Sequence, residues 1–183
     1  AKHNIRKEIL NIRSSIPAQK RLLADMVMAE RIIGHQWFYK AEVLLGFVNY
    51  GSEISTHDIL LEALKMKKTL FLPKIEGDTM VFYRVESLDE LTVGYKGIME
   101  PNGNTEAFEY ATYKDCPVLL LMPGVAFDMY GYRLGYGKGF YDRFLSDKEV
   151  LQTYSIAVGY KCQQVERLPV DDFDIKPYQV ILV

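Results

Sequence analysis

Four glycines, Gly131, Gly135, Gly137 and Gly139, fall within nine residues, and two cations, Arg133 and Lys138, stand among them. This stretch follows the most strand-like run of the chain, Val118 to Leu121, and enters a helical pattern with Asp142 in its first turn or just beyond. Residues of these types can hold phosphate. Glycine lets the backbone come close to an anion, and free N–H groups at a helix start point at it. Lys2 and Arg6 are four residues apart on a basic amphipathic pattern, so they share a helix face and form a second pair of cations. Glu53 lies in the loop after a buried-strand pattern. A carboxylate there sits at the carboxyl edge of a sheet, where it can accept hydrogen bonds from a ligand's amino or amide groups. Asp171, Asp172 and Asp174 crowd a late loop. With phosphate oxygens nearby, such carboxylates suit a hard cation such as Mg²⁺.

The glycine run is neither familiar phosphate loop. A P-loop needs Gly where Tyr132 stands and Ser or Thr where Gly139 stands. The dinucleotide fingerprint needs Gly at Phe140. Read alone, the glycines could serve only turns. Each other candidate has a plain alternative as well: a solvated face for Lys2 and Arg6, a helix-start carboxylate for Glu53, a solvated loop for the aspartates.

Composition narrows the classes. The chain has 183 residues, 49% hydrophobic and 25% charged, which fits one soluble domain over residues 1–183. A net charge of −2 supplies no global field for nucleic acid or an anionic membrane, so any anion site is local. Cys116 and Cys162 lack metal-ligand spacing and read as reduced thiols. The polar N-terminus shows no signal peptide, and Pro123-Gly124 interrupts the longest apolar run, so a cytoplasmic location is expected. His3, His35 and His57 form no triad pattern with Ser and Asp.

The elements that must position these residues alternate. Lys2 to Arg13 is predicted as a helix with Ile5, Ile9 and Ile12 on its apolar face and Lys2, Arg6 and Arg13 elsewhere. Pro17 to Tyr39 is predicted as one longer helix striped by Leu22, Met26, Ala29 and Ile33, with Trp37 and Phe38 as packing residues. Ala41 to Val48 is a strand, and Ser55 or Thr56 caps a helix over 57–66. Residues 69–75 and 80–85 form a hairpin, with a helical turn over 87–90 and an irregular loop over 94–103. The central strand 118–122 leads into the glycine run and a helix over 139–146. A strand over 154–160, a short helix over 161–165 and a last strand over 180–183 follow. This pattern predicts an α/β fold of three layers, αβα, with a mixed, mostly parallel sheet.

From Pro123 to Asp142 the chain reads Pro-Gly-x-x-Phe-Asp-x-x-Gly-x-Arg-Leu-Gly-x-Gly-x-Gly-x-Tyr-Asp without a gap. This run resembles the signature of the 5-formyltetrahydrofolate cyclo-ligase family, also called 5,10-methenyltetrahydrofolate synthetase. The Lys2-x-x-x-Arg6 pair, Glu53 after the first strand, the Gly97-Ile98-x-Glu100-Pro101 loop and the late Asp174 appear in the family's order. The resemblance implies the layered fold of ribose-5-phosphate isomerase and CoA-transferase-like proteins. It implies conversion of 5-formyltetrahydrofolate and ATP to 5,10-methenyltetrahydrofolate, ADP and phosphate, by a monomer that binds neither nucleic acid nor membrane.

It also implies roles. Lys138, Arg133 and Arg6 are expected at the reaction itself. Lys2, Arg6 and the run Arg133, Leu134, Gly135, Tyr136, Gly137, Lys138, Gly139, Phe140 and Tyr141 are expected around ATP. Val48, Glu53, Tyr136, Gly137, Lys138, Gly139 and Phe140 are expected around the folate, with Glu100 a weaker candidate. Asp142 and Asp174 are expected to hold Mg²⁺. Two departures mark the last loop: Phe173 stands where the family has His, and Tyr178 where many members have Asp. Two other classes are weighed beside this reading. One is a binding module that kept the fold and lost Lys138, Arg6 or Asp142, all of which stand here. The other is a sugar-phosphate isomerase or transferase without ATP.

Overall fold

The computed structural model describes residues 1–183. Its frame is a six-stranded sheet in the order β11-β9-β6-β1-β2-β3. The strands are β1 (Val43–Leu45), β2 (Thr69–Glu76), β3 (Thr79–Val85), β6 (Val118–Met122), β9 (Ser155–Gly159) and β11 (Gln179–Leu182). All neighbours are parallel except β2 and β3, which form the predicted hairpin around Gly77. The sheet is therefore mixed and mostly parallel.

Alternation along the strands sorts the core into two layers. Leu44, Leu70, Leu119, Leu121, Ile156 and Val158 face one side, against α2 (Ala18–Ile33), α3 (Gln36–Lys40) and α4 (His57–Lys65). Val43, Leu45, Phe71, Val118, Leu120 and Ala157 face the other, against α5 (Tyr110–Tyr113), α6 (Phe140–Leu145) and α7 (Glu149–Thr153). A third, smaller cluster of Ile9, Val125, Ala126, Leu134 and Leu168 seats α1 (Lys2–Ser14). It does so on a second sheet in the order β10-β7-β8, made of β7 (Ala126–Asp128), β8 (Arg133–Leu134) and β10 (Gln164–Val165). A short pair, β4 (Thr92–Val93) and β5 (Met99–Glu100), gives the predicted irregular loop regular pairing.

Several local readings need correction. The helix predicted from Pro17 to Tyr39 is two helices, broken at Gly34 and His35. The His35 Nδ1 accepts the Trp37 backbone N–H at 3.0 Å and so caps α3, a reading that pattern alone misses. Of the predicted stripe, Leu22 and Met26 are exposed, and Met28, Ala29 and Ile32 face the core instead. On α1, Ile12 is exposed and Arg13 is buried, the reverse of the expectation. The short helix predicted over 161–165 is a single 3-10 turn, Lys161–Gln163, and its last two residues are β10. Trp37 and Phe38 do pack: Phe38 is fully buried, and Trp37 lies edge-on to Tyr154.

No helix is long and apolar enough to cross a membrane.

Candidate active site

The carboxyl ends of β1 and β6 open into one cavity of about 1040 Å³. Its lining includes Lys2 and Arg6 of α1, Val48 and Glu53 after β1, the run from Arg133 to Asp142, and the late loop from Asp171 to Ile175. Every site residue named from the sequence, Glu100 included, borders this one space. Opposite the glycines stand Ile75, Met80, Tyr95, Ile98 and Met99, an apolar wall.

The glycine run is held from two sides. The Arg6 Nε donates to the Gly135 carbonyl at 2.7 Å. Arg143 reaches back to the Lys138 carbonyl and also donates to the Asp78 carbonyl at 2.8 Å. Gly137 has φ of +103°, a conformation side chains avoid, and a Cβ there would meet the Arg6 guanidinium carbon at 3.4 Å. The loop thus needs glycine both for its backbone and for the approach of Arg6. Lys138 projects from it, exposed and without a hydrogen-bonded or ionic partner. The helix that follows, α6, has only six residues.

Arg133 leaves β8 toward the cavity. Its Nη1 donates to the Pro123 carbonyl at 3.0 Å, and its guanidinium carbon lies 5.3 Å from the centre of the Tyr141 ring. Its Nε is buried with no partner, and no other buried side-chain nitrogen or oxygen is left so. Burial pushes its pKa down, and the charges of Asp142 and Asp174 oppose that shift. Burial also drives the Tyr141 hydroxyl well above its ordinary value. A half-buried guanidinium on the wall of an open cavity, with no carboxylate in direct contact, suits an anionic ligand.

The two carboxylates expected at a metal meet on this side. The Asp142 Oδ1 accepts the Ile175 N–H at 3.0 Å, which ties α6 to the late loop. Asp142 is not paired with Arg143. The Asp174 Oδ2 accepts the Asp171 N–H at 2.8 Å and the Lys2 ammonium at 2.7 Å. Each aspartate keeps its other carboxylate oxygen free of hydrogen bonds. No three His, Cys, Asp or Glu side chains gather into a cage. Two carboxylates with free oxygens beside a cluster of cations and glycines fit Mg²⁺, which takes few protein ligands and completes its shell with water and phosphate.

Glu53 lines the same cavity from the loop after β1. Only 8% exposed, it accepts the Tyr50 N–H on Oε1 at 2.7 Å and the Tyr136 hydroxyl on Oε2 at 2.7 Å. Burial pushes its carboxyl above the usual range, against these two hydrogen bonds and the charge of Arg13. It caps no helix: Thr56 sits at the start of α4, and its Oγ1 donates to the Phe47 carbonyl at 2.6 Å. Glu100 is also buried, with Lys74 at 2.8 Å from its Oε1.

Arg13, which touches the site through Tyr136, is the residue that the sequence reading missed. It is 3% exposed and donates to Ser52 Oγ at 2.9 Å and the Tyr136 hydroxyl at 3.0 Å. A signal was present. Residues 5, 9 and 13 are spaced by four, so Arg13 continues the face that Ile9 buries.

Comparison with known proteins gives the chain's family. The model of the family described as "5-formyltetrahydrofolate cyclo-ligase family" matches residues 1–183. A 5-formyltetrahydrofolate cyclo-ligase of Mus musculus is 28% identical over 189 residues, covering 99% of this chain and 93% of its own. The NMR structure of Aquifex aeolicus 5,10-methenyltetrahydrofolate synthetase superimposes with a TM-score of 0.81 at 35% identity, over 96% of this chain and 86% of that one. A 5,10-methenyltetrahydrofolate synthetase from Mycoplasma pneumoniae shares the fold, with a TM-score of 0.77 at 23% identity over 98% and 97% of the two chains. With its full length matched by the family model, the chain belongs to the 5-formyltetrahydrofolate cyclo-ligase family of enzymes.

Proposed function

We propose that this protein converts 5-formyltetrahydrofolate to 5,10-methenyltetrahydrofolate at the expense of ATP. The observation that carries the reading is one cavity lined both by cations and glycines and by the buried carboxylate Glu53. That lining suits two substrates, one anionic and one bearing N–H groups, held in the same space.

The formyl oxygen of an amide-like group is a poor leaving group. In this reading it attacks the γ-phosphorus of ATP, the bond to the bridging oxygen breaks, and ADP departs. N10 of the folate then attacks the formyl carbon and loses its proton, and phosphate leaves as the ring closes. Phosphoryl transfer asks chiefly for positioning and charge neutralisation. Lys138 is free to swing onto the γ-phosphate, and the Arg133 guanidinium adds its charge from the cavity wall. Arg6 holds the glycine loop through Gly135, so that backbone amides face the phosphates. Lys2 adds charge from the side of the late loop.

Asp142 and Asp174 would hold Mg²⁺, which when bound neutralises β- and γ-oxygens. Phe140 and Tyr141 offer aromatic surface beside the nucleotide, while Val48 and Tyr136 contact the folate. Glu53 accepts hydrogen bonds from the folate's amino and amide N–H groups.

The direct test mixes protein, 5-formyltetrahydrofolate, ATP and Mg²⁺ and follows the near-ultraviolet absorbance of methenyl-folate. Growth that requires ATP is expected. Absorbance no different from the ATP-free control overturns the reading.

A further inference from the structure

Arg13 is a buried cation for which the reaction outlined above has no use. It reaches from the last turn of α1, behind the cavity's lining, and ends among neutral acceptors: Ser52 Oγ at 2.9 Å, the Gly124 carbonyl at 3.4 Å and the Tyr136 hydroxyl at 3.0 Å. It makes no direct ion pair. A guanidinium taken out of water without a carboxylate is costly, so its placement calls for a compensating charge nearby. That charge is Glu53, one hydroxyl away. The Tyr136 hydroxyl accepts from Arg13 and lies 2.7 Å from the Glu53 Oε2.

Donor and acceptor chemistry fixes the direction of this chain. Arginine can only donate. The Tyr136 oxygen therefore receives the Arg13 hydrogen, and its own single proton goes to Glu53. The other Glu53 oxygen accepts the Tyr50 N–H. Each carboxylate oxygen has two lone pairs, so both keep one for a ligand. We propose that Arg13 is a positioning residue for the folate. Acting through the Tyr136 hydroxyl, it holds Glu53 in place with its free lone pairs turned to the substrate's N–H groups. The inference rests on the reading of Glu53 as a folate contact.

A second structural tie supports it. Arg21 of α2 donates to the Arg13 carbonyl at 2.6 Å and to the Ser52 carbonyl at 2.7 Å, so the end of α1 and the Glu53 loop are held by the same side chain. The groups facing Glu53 are Arg13 from α1, Tyr136 from the glycine run, Tyr141 from α6 and the Tyr50 N–H of its own loop. Arg13 is the one fixed cation among them. Its removal raises the pH at which Glu53 takes up a proton and loses acceptor strength.

The test is a double-mutant cycle on Arg13→Met and Tyr136→Phe, with Glu53→Gln alongside. Folate affinity is read by fluorescence titration across pH, ATP affinity in parallel, and folding by a melting curve. Arg13→Met is expected to weaken folate binding about tenfold at neutral pH. Its ATP affinity is expected to stay within about twofold. The acid limb of folate binding should move to higher pH. The two substitutions should be non-additive, because both break one chain. Arg13→Lys, which keeps charge and loses the fork, should restore the position of the acid limb more than the affinity. If Arg13→Met does not fold, the cycle is run with Arg13→Lys.

Additive effects, or an acid limb unmoved in a folded Arg13→Met variant, overturn the proposal. If Glu53→Gln weakens folate binding and the Arg13 variants do not, the Glu53 reading stands and this inference alone fails. If Glu53→Gln binds folate normally, both fall.

Discussion

The Lys2 ammonium lies 2.7 Å from a carboxylate oxygen of Asp174 and 2.7 Å from one of Asp171. Burial opposes the charge on Lys2, and the two aspartates outweigh it, so Lys2 titrates above the ordinary lysine value. Burial opposes the charge on Asp174 as well. The Asp171 N–H and the Lys2 ammonium outweigh it, so Asp174 titrates below the usual range. A lowered carboxyl pKa contributes stability above the unfolded value of about 4, lost as pH falls through the folded value. A raised lysine pKa contributes stability below about 10.4, lost as pH rises through the folded value. Between these limits Lys2→Met should cost less than about 1 kcal/mol, as such pairs do. Denaturant unfolding against pH should show the gap from wild type closing in acid. A gap that persists near about pH 2 sinks this account.

The Lys138 side chain has no partner, and the carbonyl that Arg143 holds survives substitution, so loss of the ammonium should leave folding alone. Lys138→Ala should lower kcat/KM for ATP about a hundredfold, as removal of a group facing transition-state charge does. Stability should change by less than about 0.5 kcal/mol. Wild-type ATP use in the folded variant would remove Lys138 from the reaction.

Glu53 carries the opposite sign of stability. Its carboxyl is raised by burial, so the folded protein holds that proton more tightly than the unfolded chain does, and stability falls as pH rises through this range. Glu53→Gln should therefore melt no lower than wild type at neutral pH while losing about tenfold in folate affinity. Wild-type affinity should fall in acid at a pH above the ordinary Glu value, and the variant should be flat there. Equal titration curves for the two proteins would make Glu53 a structural carboxylate only.

Asp142→Asn and Asp174→Asn each keep an oxygen for the backbone N–H that the aspartate accepts now. Both should raise the Mg²⁺ concentration needed for half-maximal rate. Asp142 should have the larger effect, since Asp174 is already shared with Lys2. A lower melting temperature with an unshifted Mg²⁺ titration, in both variants, would return these residues to purely structural duty.

Phe127 is fully buried in β7, and its ring closes on two backbones. A Cβ added at Gly124 would fall 2.6 Å from it, and one at Gly159 would fall 2.7 Å away. Phe127→Ala opens a void where the small sheet meets the large one and should cost about 3–5 kcal/mol. A denaturant midpoint near that of wild type would show that the surrounding chain collapses to fill the space.

The central strands β1, β6 and β9 were legible because they are buried on both faces and read as unbroken apolar runs, as Val118 to Met122 does. The cavity's lining was legible because motif residues cluster at strand ends, where an α/β sheet binds ligands. What stayed hidden depended on partners distant in sequence. Arg13 reads as surface charge until Tyr136 and Ser52 meet it. Leu22 and Met26 fit a helical stripe, but the sheet selected the neighbouring face of Met28 and Ile32. The strands β7, β8 and β10 are two or three residues long, too short for periodicity to register. The break at Gly34 turns on the His35 ring, a cap outside the usual set.

The tie between Lys2 and the 171–174 loop spans almost the whole covalent length of the chain. The sheet between them must be ordered before they can meet, because closing so long a loop is repaid only by contacts already in place. On the proposed reading, nucleotide binding is then a late event in folding. During refolding, turnover should recover after the signal of the buried sheet. A half-folded chain has its glycines and Lys138 but not the enclosing cations of α1, so the proposed reading expects it to hold ATP poorly.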